Sequence, residues 1–278
     1  MPIAALAHAD ETDLVRAMYK LFKRTHVPGI FEVQMSGACD TGIARDHNED
    51  AIAVQEDDGR GYHLAIVCDG MGGHSAGEIA SAIAVQVIGE YLSVHFGQAQ
   101  IPEAIPDLLR DAFTLANERI DDHAMANPAA QGMGCTCVAV LGIRDRFWVA
   151  HTGDSRAYRV REGVVEQITV DHTMVQELVS QGLLTPEQAS VHPYRGRISR
   201  CLGHGQQKCD ADISQHTLDK GDNLLLCSDG LSDVVANPEI AALVGQRDVR
   251  DASRRLIEAA NKAGGPDNIS AIVMRRVV

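Results

Sequence analysis

Two apolar runs in this 278-residue chain end on the same dipeptide. Leu64-Ala65-Ile66-Val67-Cys68 runs into Asp69-Gly70, and Leu224-Leu225-Leu226-Cys227-Ser228 runs into Asp229-Gly230. In both, an apolar strand carries a carboxylate to its end, beside a glycine whose backbone carbonyl can be approached closely. A carboxylate at the edge of a core is costly unless it is paired or metal-bound, so the fold must bring a partner to each. A third Asp-Gly, Asp58-Gly59, lies in an acidic, glycine-rich run where a turn accounts for it.

Further acidic positions repeat the pattern. Asp154 ends the run Trp148-Val149-Ala150-His151-Thr152-Gly153. Asp267 follows Gly264-Gly265-Pro266 just before the last apolar run, and Glu49-Asp50 stands at the mouth of the strand-like Ala51–Gln55. One such aspartate alone reads as a cap or turn former. Several in equivalent settings, on strands lying side by side, predict an all-oxygen site suited to Mg²⁺ or Mn²⁺.

The strand-like segments are short and hairpin-connected, which favours an antiparallel sheet system over alternating βαβ units. Strands are expected at 51–55, 62–68, 137–143, 147–151, 157–160, 164–169, 223–227 and 269–278. Helices are expected at 77–96, 102–127, 173–182 and 251–263. Over 77–96 the stripe Ile79, Ile83, Val87, Tyr91 marks the expected core face; over 102–127 it is Ile105, Leu109, Ala112, Ala116, Ile120. Leu14, Met18, Leu21 and Phe22 give a short amphipathic helix within 10–24, broken by Pro28-Gly29. Residues 1–33 therefore read as an N-terminal extension and 34–278 as one α+β domain.

Composition narrows the function. The net charge is −13, with no basic stripe interleaved with aromatics, which argues against nucleic acid as a partner. A chain this acidic also repels anionic substrates unless something local inverts the sign. No apolar run is long enough for a membrane span, and the start lacks the basic region of a signal peptide. The seven cysteines include no Cys-x-x-Cys pair, so reduced thiols in a cytoplasmic protein are expected.

Five separated segments, taken together, carry a resemblance. They are Thr41-Gly42-Ile43-Ala44-Arg45-Asp46-His47-Asn48-Glu49-Asp50, Val67-Cys68-Asp69-Gly70-Met71-Gly72-Gly73-His74, Gly153-Asp154-Ser155-Arg156, Cys227-Ser228-Asp229-Gly230-Leu231 and Gly265-Pro266-Asp267-Asn268. The set resembles the metal-dependent protein phosphatases, the type 2C Ser/Thr phosphatases, in a bacterial spelling, over roughly residues 34–278. The resemblance implies a four-layer α-β-β-α sandwich with two central antiparallel sheets. It implies phosphorylated protein substrates of a Ser/Thr kinase, a monomer, and hydrolysis by a metal-activated water without a covalent phosphoenzyme.

Residue by residue, the resemblance makes Asp69 the carboxylate bridging two core ions, Mn²⁺ or Mg²⁺. Gly70 lends its carbonyl to one of them, and Asp229 and Asp267 hold the other. Asp50 binds waters of the site, and Asp154 joins Asp229 around a third, weaker ion. Arg45 grips the substrate phosphate, for which a planar guanidinium is suited by its bidentate geometry. His74 is the candidate general acid. His172, after Asp171, matches a recurring Asp-His pair without an assigned role. Residues 171–205 resemble a flap beside the site, whose Arg195, Arg197 and Arg200 suit acidic phosphopeptides. A silent phosphoprotein-binding pseudophosphatase would have lost ligands, and Asp69, Asp229 and Asp267 are all present. A two-metal nuclease would need a basic groove, against the net charge.

Overall fold

Alternation with a period of two sorts the strand residues between three apolar clusters, and those clusters define the layers. On β3 (Tyr62–Met71), Tyr62, Leu64, Ile66 and Cys68 face one cluster while Ala65 and Val67 face another. On β11 (Asn223–Cys227), Leu224 and Leu226 share the cluster of Ala65 and Val67, whereas Leu225 and Cys227 enter a third. Strands apolar on both faces must be covered on both sides.

The computed structural model describes residues 33–57, 61–72, 76–96, 102–205, 209–246 and 248–277. The expected helix within 10–24 lies outside them, as does His74. The remaining strands are β1 (Val33–Asp40), β2 (Asp50–Asp57), β4 (Gly134–Cys135), β5 (Cys137–Ile143), β6 (Arg146–Thr152), β7 (Arg156–Arg161), β8 (Val164–Gln167), β9 (Leu202–Gly203), β10 (Asp212–Thr217) and β12 (Ile269–Arg276). The α-helices are α1 (Ala76–His95), α2 (Ile105–Ala126), α3 (Met174–Ser180), α4 (Pro186–Ser190), α5 (Asp229–Ser232), α6 (Asn237–Val244) and α7 (Ala252–Lys262).

One sheet runs β1-β12-β11-β7-β8. The other runs β10-β6-β5-β3-β4-β9, with β2 paired to β3. Helices α1 and α2 cover the second sheet through Ile88, Leu92, Leu109 and Phe113; α6 and α7 cover the first through Ile240, Val244, Leu256 and Ile257. Ala65, Val67, Val138, Val140, Leu224, Leu226 and Ile272 fill the seam between the sheets. The expected α-β-β-α sandwich is the one observed.

Two expectations shift in detail. The face that α1 buries is Ala80, Ala84, Ile88 and Leu92, one residue along from the Ile79 stripe, which packs only partly buried at its flank. The small alanines let the helix settle close to β3, and close packing outweighs side-chain size in choosing the face. Strands β1 and β10 and helix α6 escape a periodicity reading: Val33-Gln-Met-Ser-Gly-Ala-Cys-Asp40 and Asp212-Ile-Ser-Gln-His-Thr217 are edge strands carrying few apolar residues, and α6 has only eight residues.

Register gathers the acidic strand ends. Asp50 lies directly opposite Asp69 across β2 and β3. Cys227 at the end of β11 pairs with Arg156 on β7 and Ala271 on β12. Because both pairings are antiparallel, the two residues that follow Cys227 lead to Asp229 at the same edge where Asp154 precedes β7 and Asp267 precedes β12.

Candidate active site

Asp69 is the electrostatic centre of this edge. Its carboxyl is pushed well above the usual range by burial, and then by the charges of Asp50, Asp229, Asp154 and Asp267. Burial lifts Asp50 to about 7, with Asp229 and Asp267 adding to it against hydrogen bonds from Ser228 and Ser270. Burial and Asp229 raise Asp154 to about 7, and burial and Asp267 raise Asp229 to about 6. The five acids expected from the sequence thus share one field, and four of them resist ionising, first because burial desolvates the charge and then because the other acids are near.

Their oxygens are incompletely satisfied. Asp50 Oδ2 accepts from Ser228 Oγ at 2.7 Å, but Asp50 Oδ1 is buried without a hydrogen-bond partner, as is Asp229 Oδ1. Buried charged acceptors left unpaired are expensive, and hard divalent cations are the chemical species this donor set suits. The acids do not form a closed cage. Among the described residues, the one set of three His, Cys, Asp or Glu ligand atoms within 4.8 Å of one another is His151, His172 and Asp212. Wider spacing of the five aspartates fits cations that keep several waters.

Gly70 is buried between two backbones. A Cβ there would overlap the carbonyl of Gly77 at the start of α1 and lie 2.6 Å from Glu49 O. Its N–H donates to Glu49 O at 3.1 Å, which pins β3 to the acidic 49–50 pair. Gly42 (φ +78°) is equally confined, since a side chain would strike the Asp267 carbonyl. Ile43 and Ala44 N–H both donate to Gly265 O, at 2.8 and 3.0 Å, so the 41–50 loop is laid against the loop that carries Asp267.

Arg45 comes to the site through this packing. Its Nη2 lies 2.7 Å from Asp267 Oδ2, with half of its side chain exposed. The partner is therefore a residue of the acid cluster rather than the neighbouring Asp46 or Glu49. Cys39 and Arg45 also show a Cys-x5-Arg spacing, the pattern of a thiol phosphatase loop. The thiol argues against that chemistry: burial and then Asp50 raise it to about 11, so it is no thiolate nucleophile at neutral pH.

A sequence profile described as "Protein phosphatase 2C" matches residues 43–274. The chain belongs to the protein phosphatase 2C family. It is 37% identical over 235 residues to the serine/threonine protein phosphatase PstP of Mycobacterium tuberculosis, an alignment covering 84% of this chain and 43% of that protein. The chain thus spans less than half the length of that relative. Among solved structures, the Streptococcus agalactiae serine/threonine phosphatase superposes with a TM-score of 0.81 at 34% identity, covering 89% of this chain and all of the other. The catalytic domain of PstP, described as a complex with two manganese ions, gives 0.76 at 33% identity over 88% of this chain and 99% of that one.

Within this 2C-family site, several residues act that the sequence reading left without a role. Asn268 staples the 41–49 loop: its Nδ2 donates to Thr41 O and His47 O, each at 2.8 Å, and its Oδ1 accepts from Glu49 N–H at 2.8 Å. Thr136 Oγ1 accepts from Asp69 N–H at 3.1 Å and contacts Ser155 Oγ at 2.7 Å, tying the central aspartate to the turn after Asp154. Arg156 forks onto Asp171 through Nε and Nη2, at 3.0 and 2.6 Å. The only sequence hint for Asn268 and Arg156 was membership of the same motifs as Asp267 and Asp154. Of the arginines expected in a flap, Arg200 is engaged by Asp212 at 3.1 Å, and the Arg197 guanidinium lies 5.9 Å from the Tyr194 ring centre. Among the described residues no helix is long and apolar enough to cross a membrane.

Proposed function

We propose that this chain is a metal-dependent protein phosphatase that hydrolyses phosphoserine and phosphothreonine in proteins by direct attack of water. The observation that carries the reading is the field around Asp69: acids from distant parts of the chain, mutually raised, with Asp50 Oδ1 and Asp229 Oδ1 buried and unpartnered. The curated relatives' names and the family profile point the same way. When bound, a pair of divalent cations supplies Lewis acidity, lowering the pKa of a shared water and turning an acidic edge into an anion site.

In this reading Asp69 would serve both core ions, the Gly70 carbonyl one of them, and Asp229 and Asp267 the other. Asp50 would order site waters, and Asp154 with Asp229 would hold a third, weaker ion. Both Mn²⁺ and Mg²⁺ suit an all-oxygen set. Arg45 orients the phosphoryl group, and its half-exposed side chain at the rim can exchange Asp267 for substrate oxygens. His74 donates a proton to the leaving serine or threonine oxygen. The protein works as a monomer on targets of a Ser/Thr kinase, in a signalling role. Its seven cysteines are all free thiols, which supports a cytoplasmic setting.

The test is hydrolysis of a phosphothreonine peptide with and without Mn²⁺, in wild type and Asp229→Asn. Turnover that needs Mn²⁺ and drops at least about 100-fold in the variant is expected, in line with loss of a stabilising group of ~2.7 kcal/mol or more. Turnover independent of added metal, or full activity in the variant, would overturn the mechanism. A pseudophosphatase would bind the peptide without turnover in any metal.

A further inference from the structure

His172 is buried, and its contacts reach four parts of the fold. Its backbone N–H donates to Gly153 O at 2.9 Å, and its Nδ1 accepts from Gly153 N–H at 3.2 Å, so one residue satisfies both polar groups of that glycine. Gly153 is held at φ +99°, where a Cβ would lie 2.6 Å from Thr136, and the next residue is Asp154. On the other side, His172 O accepts from Ser199 N–H at 2.9 Å, and Met174 N–H donates to Arg197 O at 2.9 Å, closing the base of segment 173–199. Thr173 and Ile198 form a β-bridge there. The ring stacks on His151 at 4.6 Å between centres, and its Nε2 lies 3.2 Å from Asp212 Oδ2.

The hydrogen bonds decide between two uses of this cluster. A metal held by His151, His172 and Asp212 would need His172 Nε2 as a ligand. Metal-bound imidazoles give their second N–H to an acceptor, yet the second nitrogen here receives the Gly153 N–H. Nε2 therefore carries the proton and donates it to Asp212, whose other oxygen accepts from Arg200 at 3.1 Å. His151 likewise donates from Nε2 to Val170 O at 2.9 Å. The ring is a fastener.

We propose that His172 is a positioning residue that sets the Gly153-Asp154 turn and locks it to the base of the 173–199 segment, so that the flap and Asp154 move together. Its consequence for catalysis rests on the reading of Asp154 as a metal-site residue; the mechanical coupling does not. A substrate that shifts the flap would, through His172, shift a carboxylate of the reaction site.

Asn and Gln divide the two ring functions. Asn places an acceptor near Nδ1 and keeps the Gly153 bond, while Gln reaches toward Asp212 and loses it. Hydrogen exchange on the full chain is read in peptides spanning 150–156 and 196–201, with 223–227 as a control. His172→Gln should speed exchange about tenfold in both test peptides and leave the control unchanged; His172→Asn should return the 150–156 peptide to within about threefold of wild type. If His172→Gln does not fold, Asp212→Ala at an exposed position serves instead, with about threefold faster exchange expected in both test peptides. A double-mutant cycle with Asp154→Asn at varied Mn²⁺ should be non-additive. Should Asp154→Asn alone leave the Mn²⁺ requirement untouched, the metal role of Asp154 fails, and the exchange data still judge His172. Unchanged exchange in both peptides or equal loosening of the control would overturn the proposal, as would additive effects in the cycle when Asp154→Asn by itself alters the Mn²⁺ requirement.

Discussion

Arg45 and Asp267 are 222 residues apart in sequence, yet their side chains meet at 2.7 Å on the rim of the acid cluster. The residue suited to grip an anion is thus held by a residue suited to hold a cation. On the proposed mechanism, a cation taking Asp267 would compete with Arg45 for the same carboxylate, and filling the site would free the guanidinium for phosphate.

Replacing Arg45 by Ala should therefore separate two properties. Hydrogen bonds to charged groups contribute roughly 1.5–3 kcal/mol, so KM for an aryl phosphate or a phosphopeptide should rise about 10- to 100-fold. Mn²⁺ affinity, measured by calorimetry, should stay level or tighten a few-fold as the competitor leaves. Weaker Mn²⁺ binding with an unchanged KM would contradict this assignment.

Gly70→Ala should fail on steric grounds. The new methyl would enter the space of the Gly77 carbonyl, in a spot where backbone on both sides prevents relaxation. A cost of ~3 kcal/mol or more is expected, read as a fall in Tm of roughly 10 °C. A Tm within 2 °C of wild type would show that β3 and α1 can separate more easily than this packing allows.

Metal-free protein should lose stability as pH rises. Asp50, Asp154 and Asp229 have folded pKa values of about 7, 7 and 6, all above the ordinary unfolded value near ~3.9. A raised carboxylate stabilises the fold while protonated, and that contribution fades as pH climbs through the folded pKa. His151 and His172 act in the opposite sense, since burial lowers both. Their effect fades above about pH 6.5, however, because the unfolded imidazole is by then less than half protonated and is nearly neutral about one pH unit higher. Between pH 6.5 and 8 the carboxylates decide the slope: Tm in EDTA should fall, and the gain in Tm on adding Mn²⁺ should grow. A flat or rising Tm in EDTA over that interval would refute it.

Asn268→Ala removes three hydrogen bonds that hold the 41–49 loop. At ~1 kcal/mol each, with the cost of the groups left bare on top, stability should drop by more than about 3 kcal/mol. Activity at saturating Mn²⁺ should fall further than in a variant of equal stability cut elsewhere, such as Val244→Ala in the α6 core. Equal activity in the two would mean that Asn268 serves stability alone.

Much of the acid cluster was legible in the chain itself. An apolar run ending in Asp-Gly is a local signal, because alternation marks the strand and desolvation makes a terminal carboxylate conspicuous; Asp69 and Asp229 announce themselves this way. The order of hairpins likewise implied antiparallel sheets. Tertiary structure alone decided the rest. Which partner Arg45 takes, that Asn268 staples a loop more than 200 residues away, and that His172 holds Gly153 on both sides depend on strand register and on backbones meeting at Gly42, Gly70 and Gly153. Such contacts leave no periodic trace, since a single polar side chain reaching a carbonyl across the fold has no repeating neighbour to betray it. The sequence determined where charge would be stranded; the packing of two sheets determined what stands beside it.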